Sequence, residues 1–371
     1  MRPSGVVLAV FLALGATGCA NQPLRGPAVD APRIAPHAVL RGLALDPALE
    51  DRLLALDPER ISERDFRTTL AAAPAPRVVS VHGGVYPVYL AMESFARFLI
   101  AMGYPEQRLR HPKDGRFSHS PYAPSEQLAG LVAWYYEQEG MRPLLIGHSQ
   151  GGVQILKMLY DLAGRSSDRI PVWNPLADRA ENRFAIVDPL TGAERPVVGL
   201  RLPYASVVGA GGAAVLFPNQ WTMLGRARSV PDTVEEFTAY AIDLDLFAWD
   251  LPGLSAAGAF RANGAARVRN FRLPVGYAHV VVPVTAHLAR DPAMRDRINA
   301  YTPEQASGFP VAPDGAADNA LWAADVWYSV KRHWCLEAQR LIRAKRAALG
   351  TDRGAVADVE QGREHVGAVK H

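Results

Sequence analysis

Apolar residues along the chain occur in short continuous runs and in longer segments with helical spacing. Runs bounded by glycine or proline predict strands, and apolar positions three and four residues apart predict helices. The predicted strands are Val78–Val81, Gln107–His111, Pro143–Ile146, Tyr204–Val208, Phe237–Ile242 and Ala266–Leu273. The predicted helices are Pro47–Leu56, Ser62–Ala73, Met92–Met102, Ser125–Glu139, Gln150–Ala163 and Asn319–Ala348. This alternation favours an α/β fold, a mostly parallel sheet with helices on both faces.

Three segments depart from the alternation. An insertion at about residues 165–203 contains the turn sequence Asp188–Gly192 between two strand patterns, which predicts a β-hairpin. Residues 210–233 are glycine-rich and apolar and form a possible lid, because long loops in compact domains are often functional. Residues 350–371 are polar and predict an irregular tail. One α/β domain is therefore expected over residues 46–349.

The beginning of the chain predicts export. The apolar run Val6–Ala16 follows a basic residue and is shorter than a membrane span, which needs about 20 residues. Small residues then precede Cys19, and this order resembles the lipobox of bacterial lipoproteins. The resemblance implies a signal peptide at residues 1–18, a tether at residues 19–45 and a membrane anchor on lipidated Cys19. The expected location is the cell envelope, at the outer membrane facing the periplasm, with soluble secretion as the alternative.

Composition and charge exclude several classes of protein. Hydrophobic residues make up 49% of the 371 residues, which argues against intrinsic disorder. Two cysteines cannot build a disulfide scaffold. The 40 basic and 37 acidic residues nearly balance, so we expect no nucleic-acid partner. The sequence contains neither a phosphate-binding glycine loop nor histidines and carboxylates at metal-ligand spacing, so we expect no cofactor and no metal.

The strongest chemical signal is the segment Gly147-His148-Ser149-Gln150-Gly151, which fits the pattern G-x-S-x-G. A predicted strand precedes it and a predicted helix follows it. In such a strand–turn–helix the serine occupies a strained backbone conformation, and the glycines let strand and helix pass closely. Ser149 is therefore the predicted nucleophile, and its neighbour His148 is predicted to be a packing residue.

This motif in its context resembles the α/β-hydrolase superfamily, in particular its lipase- and esterase-like members. A second point of resemblance is His82-Gly83-Gly84 after the first predicted strand. In that superfamily the equivalent turn supplies one backbone N–H to the oxyanion hole, and the residue after the nucleophile supplies another. The resemblance implies Gly84 as one donor, with Val85 as the alternative, and Gln150 as the other.

The superfamily order is nucleophile, acid, histidine. His279 lies in the loop beyond the last predicted strand, where the order implies the catalytic histidine. His287, eight residues later, is the alternative. The acid is expected after the strand Phe237–Ile242, where Asp245 is favoured and Asp243 and Asp250 are the alternatives.

The function implied is a serine hydrolase that cleaves carboxylic esters, of small molecules or lipids, through an acyl-enzyme. An acyltransferase or a peptidase could use the same triad. An inactive envelope lipoprotein that keeps the fold as a binding or scaffold protein is the other alternative. The sequence leaves the oligomeric state and the acyl-chain length open.

Overall fold

The computed structural model covers most of the chain between residues 27 and 367. It describes residues 27–32, 34–210, 218–242, 245, 258–273, 277–304 and 319–367, with the backbone alone beyond residue 348.

Short strands and longer helices alternate through the first half of the described chain. The strands are β1 Val78–Val81, β2 Leu144–His148, β3 Trp173–Asn174, β4 Arg179–Ala180, β5 Ala185–Val187, β6 Glu194–Pro196, β7 Leu202–Val208, β8 Ser229–Val230, β9 Val234–Ile242, β10 Arg261–Ala262 and β11 Arg267–Leu273. The helices are α1 Ala38–Gly42, α2 Pro47–Ala55, α3 Glu63–Thr68, α4 Tyr86–Ala101, α5 Ser125–Glu139, α6 Gln150–Leu162, α7 Pro292–Ala300 and α8 Ala320–Gly367.

Five strands form the central sheet in the order β1-β2-β7-β9-β11. All four neighbouring pairs are parallel. The predicted α/β fold with a mostly parallel sheet is therefore confirmed. The insertion before β7 holds two small antiparallel pairs, β3 with β4 and β5 with β6, and the second pair is the predicted hairpin.

The two faces of the sheet are covered by separate apolar cores. Successive strand residues point to opposite faces, and the division follows this rule in β2, where Leu144 and Ile146 enter one core and Leu145 the other. The first core contains buried residues of α4 and α8. The second contains buried residues of α5 and α6. Helices on both faces therefore bury the sheet, as the continuous apolar strands predict.

The parallel sheet also fixes where a site can form. The carboxyl ends of β1, β2, β7, β9 and β11 meet at one edge, because parallel strands all run in the same direction. Ser149 follows β2, and His279 lies in the loop after β11. Asp245 follows β9, so the candidate residues converge on this edge, where open α/β sheets bind their ligands.

The prediction of a strand at Gln107–His111 is wrong. The segment contains a 3₁₀ turn, Glu106–Arg108. The two arginines, which the prediction placed on one face of a strand, form ion pairs instead. Arg108 contacts Glu139 at 2.7 Å, and Arg110 contacts Glu106 at 2.5 Å.

Regular structure extends beyond both expected limits of the domain, residues 46 and 349. Within the expected tether, Val29 bridges to Glu181, and Leu40 of α1 is buried in the core beside α8. Helix α8 continues to Gly367, through most of the predicted tail, and no proline interrupts that stretch. None of the helices in the described part of the chain is both long and apolar enough to cross a membrane.

Candidate active site

The turn between β2 and α6 holds Ser149 in a strained conformation. Its φ is 56° and its ψ is −127°, a combination that residues with a side chain rarely adopt. The backbone is held on both sides, because the Ser149 N–H donates to the Val208 carbonyl at 2.9 Å and the Ser149 carbonyl accepts from the Gly152 N–H at 2.9 Å. Such strain persists only where the surroundings impose it, and it marks functional turns.

The glycines of the turn are required by close packing. A Cβ on Gly147 would lie 2.7 Å from the α-carbon of Gly152, and a Cβ on Gly151 would lie 2.2 Å from the Val81 carbonyl oxygen. Neither neighbour is the end of a flexible side chain. Strand β2 and helix α6 can therefore approach each other, and α6 can approach β1, only without side chains at these positions.

Ser149, His279 and Asp245 form one chain of hydrogen bonds. The Ser149 hydroxyl donates to His279 Nε2 at 2.8 Å, and His279 Nδ1–H donates to Asp245 Oδ2 at 2.6 Å. The Asp245 side chain is buried, and 9% of the His279 side chain is exposed. The carboxylate fixes the imidazole tautomer with an unprotonated Nε2, so the ring can accept the serine proton.

Gly209 makes room for the histidine and its carboxylate. It follows β7 with a φ of 59°, in the left-handed region that favours glycine. A Cβ at this position would lie 2.8 Å from His279 Nδ1 and 3.4 Å from Asp245 Oδ2. Sequence reasoning placed Gly209 only at the edge of a loop. The feature that marks Gly209 is its positive φ, and the φ of a residue cannot be read from the presence of one glycine in the sequence.

His148, next to Ser149 in the turn, contacts the loop that carries His279. It is fully buried, and its Nε2–H donates to the backbone carbonyl of His279 at 2.6 Å. Burial, and secondly the neighbouring His279, lower the pKa of His148 to about 3. The ring therefore stays neutral and acts as a donor. His148 was predicted to be a packing residue. The structure adds a specific hydrogen bond to the His279 carbonyl, which the sequence did not predict.

The turn after β1 lies directly against the nucleophile. A Cβ on Gly83 would lie 2.9 Å from Ser149 Cβ, and His82 Nδ1–H donates to the Gly83 carbonyl at 2.6 Å. Burial lowers the pKa of His82, which keeps this ring neutral. Helix α4 begins immediately after the turn, at Tyr86, and α6 begins at Gln150. Two helix N-termini therefore place positive potential beside the Ser149 hydroxyl.

The residues expected to supply the oxyanion donors, in the turn after β1 and at the start of α6, lie next to Ser149. None of the described residues accepts a hydrogen bond from the backbone N–H of Gln150, Gly84 or Val85. Unpaired backbone donors in a sheltered site are suited to a developing negative charge. The geometry leaves both alternatives for the second donor open.

Several predicted site residues are not brought together here. His287 is exposed and precedes the 3₁₀ helix Leu288–Arg290, and none of its described contacts involves Ser149. Asp243, Asp250 and Cys19 lie outside the described residues. Of the possible lid, residues 211–217 also lie outside them, while Pro218–Met223 forms a 3₁₀ helix whose Gln220 is buried and donates to Gln154 at 2.8 Å.

In the part of the chain that the structure describes, no group of three or more histidine, cysteine, aspartate or glutamate side chains could hold a metal ion. No protein-family model matches the chain, and no curated protein matches it. Among solved structures, the chain is similar to RedJ with a polyethylene glycol molecule bound in the active site. That match has 16% identity and a TM-score of 0.26, and it covers 62% of this chain and 92% of the other.

Proposed function

We propose that the chain is a serine hydrolase of the α/β-hydrolase type that cleaves carboxylic esters through an acyl-enzyme. The observation that carries the proposal is the continuous hydrogen-bond chain from the Ser149 hydroxyl through His279 to Asp245. The strained serine and the N–H groups around it support the proposal, because nucleophilic catalysis needs both an activated hydroxyl and oxyanion donors.

The reaction begins with proton transfer from Ser149. His279 Nε2 accepts the hydroxyl proton while the serine oxygen attacks the ester carbonyl carbon. The carbonyl oxygen becomes an oxyanion, to which the Gln150 N–H and an N–H of the turn after β1 donate. Asp245 stabilises the imidazolium that forms, because its negative carboxylate accepts a hydrogen bond from Nδ1–H, and the proton stays on the ring.

The tetrahedral intermediate then collapses to the acyl-enzyme. Its bond to the leaving alkoxide breaks, and His279 returns the proton to that oxygen, so that an alcohol departs. Water next gives a proton to His279 and attacks the acyl carbon. The bond to Ser149 breaks, the serine oxygen takes the proton back from His279, and a carboxylic acid leaves.

A panel of p-nitrophenyl esters with increasing acyl length tests the proposal and defines the preferred chain length. We expect hydrolysis by the wild-type protein and a loss of about 10⁴-fold or more in Ser149→Ala. Ser167→Ala is the matched control, because Ser167 lies in the loop beyond the far end of α6 and bonds only to Arg169 among the described residues. Ester hydrolysis that survives in Ser149→Ala would contradict the proposal.

We also propose that the protein is a lipoprotein of the cell envelope, anchored through acylated Cys19. The proposal rests on the short apolar run followed by small residues and Cys19. We expect labelled fatty acid to be incorporated into the wild-type protein and into the Cys335→Ser control. Incorporation into Cys19→Ser at the wild-type level would refute the anchor.

A further inference from the structure

The turn after β1 carries two carbonyl groups that are held by side chains. The Gly83 carbonyl accepts from His82 Nδ1–H, within the turn itself. The Gly84 carbonyl accepts from the hydroxyl of Tyr122 at 3.0 Å. Tyr122 belongs to a different part of the chain, the loop before α5, so this second contact ties two separate loops together at the edge of the candidate site.

The carbonyl held by Tyr122 belongs to the same peptide group as the Val85 N–H. The peptide bond between Gly84 and Val85 is trans, like every other one among the described residues, so this N–H points away from the carbonyl and therefore away from Tyr122. None of the described residues accepts a hydrogen bond from it. Fixing the carbonyl thus fixes the direction of one of the two N–H groups considered for the second oxyanion donor.

Gly84 is enclosed from two directions. A Cβ on this residue would lie 2.3 Å from Gln150 Oε1 and 2.9 Å from the Tyr122 hydroxyl oxygen. Gln150 is 2% exposed, so its side chain has little freedom to move aside. The peptide group between Gly84 and Val85 is therefore held between the first residue of α6, which follows Ser149, and the hydroxyl of Tyr122.

The loop that carries Tyr122 is anchored on each side of that residue. Upstream, the His119 N–H donates to the Ser80 carbonyl at 2.8 Å, and the His119 carbonyl accepts from the His82 N–H at 3.1 Å. Downstream, Gln154 Nε2 donates to the Ala123 carbonyl at 2.5 Å. The backbone on both sides of Tyr122 is thus held by contacts that involve β1, the turn after it and α6, the same elements that position Gly84 and Ser149.

We propose that Tyr122 is a positioning residue of the oxyanion site. By donating to the Gly84 carbonyl it orients the peptide whose N–H, on Val85, serves as the second oxyanion donor. The inference rests on the proposed hydrolase function for its kinetic consequence. It assigns the donor to Val85 and gives Tyr122 a role that acts through the backbone, without contact to the substrate.

Tyr122→Phe tests the proposal, because it removes the hydroxyl and keeps the ring. We expect kcat for a p-nitrophenyl ester to fall about three- to thirtyfold with KM within about twofold of wild type, because the oxyanion forms only in the transition state. Tyr104→Phe is the matched control. Its hydroxyl also donates to a backbone carbonyl, that of Pro76, before β1 and therefore at the opposite edge of the sheet.

A second measurement does not depend on catalysis. Hydrogen–deuterium exchange of the peptide covering residues 83–90 reports the rigidity of the turn, and we expect faster uptake in Tyr122→Phe than in wild type or Tyr104→Phe. If wild-type protein does not hydrolyse esters, the proposed function fails, and unchanged uptake would then overturn the positioning role as well. If wild type is active, unchanged kcat in Tyr122→Phe, or an equal loss in Tyr104→Phe, overturns the role of Tyr122.

Discussion

Two buried aspartates lie near the sheet and differ in the partners that donate hydrogen bonds to them. Asp245 follows β9 and accepts from His279 Nδ1–H, which is in turn bonded to Ser149. Asp325 lies in α8 and is fully buried. It accepts from Arg269 Nη1 at 3.3 Å and from Nη2 at 3.2 Å. The first carboxylate faces a ring that can gain or lose a proton, and the second faces a permanent cation.

The Asp325 carboxylate accepts hydrogen bonds from side chains of several elements. Besides Arg269 of β11, the carboxylate accepts from the Tyr301 hydroxyl at 2.9 Å and from the Tyr240 hydroxyl of β9. A buried charge of this kind needs a full set of partners, because each unpaired group is costly in a medium of low dielectric constant. The cluster thus fixes α8 on the end of the sheet.

The site around Asp245 is organised differently. It keeps a strained serine, and among the described residues it leaves the Gln150 N–H and both side-chain polar atoms of Gln150 without partners. Unsatisfied donors reduce stability, yet they are what an oxyanion requires. One buried aspartate therefore lies among partners that join structural elements, and the other lies beside a partner whose charge can change.

The largest expected effect is that of Asp245→Asn on turnover. The amide can donate to His279 Nδ1 and so favours the wrong tautomer, and we expect kcat to fall about 10⁴-fold while the fold is retained. Ester hydrolysis and circular dichroism on the same sample measure both. Asp243→Asn and Asp250→Asn are the comparison variants. Loss of activity in one of them, with Asp245→Asn active, would move the acid to that residue.

Asp325→Asn should act on stability instead. Removing one partner of a buried ion pair leaves Arg269 undercompensated, and we expect a loss of about 3 kcal/mol in the free energy of unfolding. Urea denaturation measures it. The kcat of the folded fraction should stay near that of wild type. If Asp325→Asn is as stable as wild type, Asp325 does not stabilise the fold as described. If it is folded but inactive, its effect is not confined to stability.

Gly209→Ala is expected to affect both stability and turnover. The φ of 59° costs alanine about 1 kcal/mol, and the added Cβ would meet His279 Nδ1 at 2.8 Å. Since a displacement of about 1 Å can cost about 10²-fold in rate, we expect kcat to fall by about that factor. Gly199→Ala is the control, because Gly199 also has a positive φ but open space around its α-carbon. Equal activities of the two variants would exclude the steric role of Gly209.

The smallest effect concerns stability at low pH. The folded-state pKa of His148, about 3, lies below the value of about 6.5 in an unfolded chain. Between these values the unfolded state binds the extra proton, so the free energy of unfolding decreases as the pH falls. This histidine should account for about 2 kcal/mol between pH 7.5 and pH 5.

Urea denaturation at the two pH values measures this loss in wild type and in His148→Gln, in which the amide can still donate to the His279 carbonyl. We expect a smaller loss in the variant, because glutamine does not titrate. The same loss in both proteins would show that His148 does not contribute to the pH dependence.

How far the sequence predicts the site depends on how local each feature is. The turn around Ser149 is contiguous, and its glycines follow from the packing of adjacent elements, so the strand–turn–helix pattern predicted it. Helix α5 was predicted with its observed bounds, because Pro124 directly precedes it and Gly140 follows it with a positive φ. Asp245 could only be favoured among three aspartates, since its approach to His279 depends on how the chain continues beyond β9.

Tyr122, Gly209 and the bond from His148 were beyond sequence reasoning for the same physical reason. Each depends on a contact between segments far apart in the chain, such as the bridge between Val81 and His119 that brings the Tyr122 loop to the sheet. Hydrophobic periodicity describes which face of an element is buried, but not which loop lies above it.

The most direct test of the account is covalent labelling with a fluorophosphonate, read by intact-mass and peptide mass spectrometry. We predict one adduct on the folded wild-type protein, located on Ser149, absent from Ser149→Ala and formed much more slowly in His279→Ala. Folded protein that acquires no adduct, or an adduct of equal yield in Ser149→Ala, would contradict the claim that Ser149 is a nucleophile activated by His279.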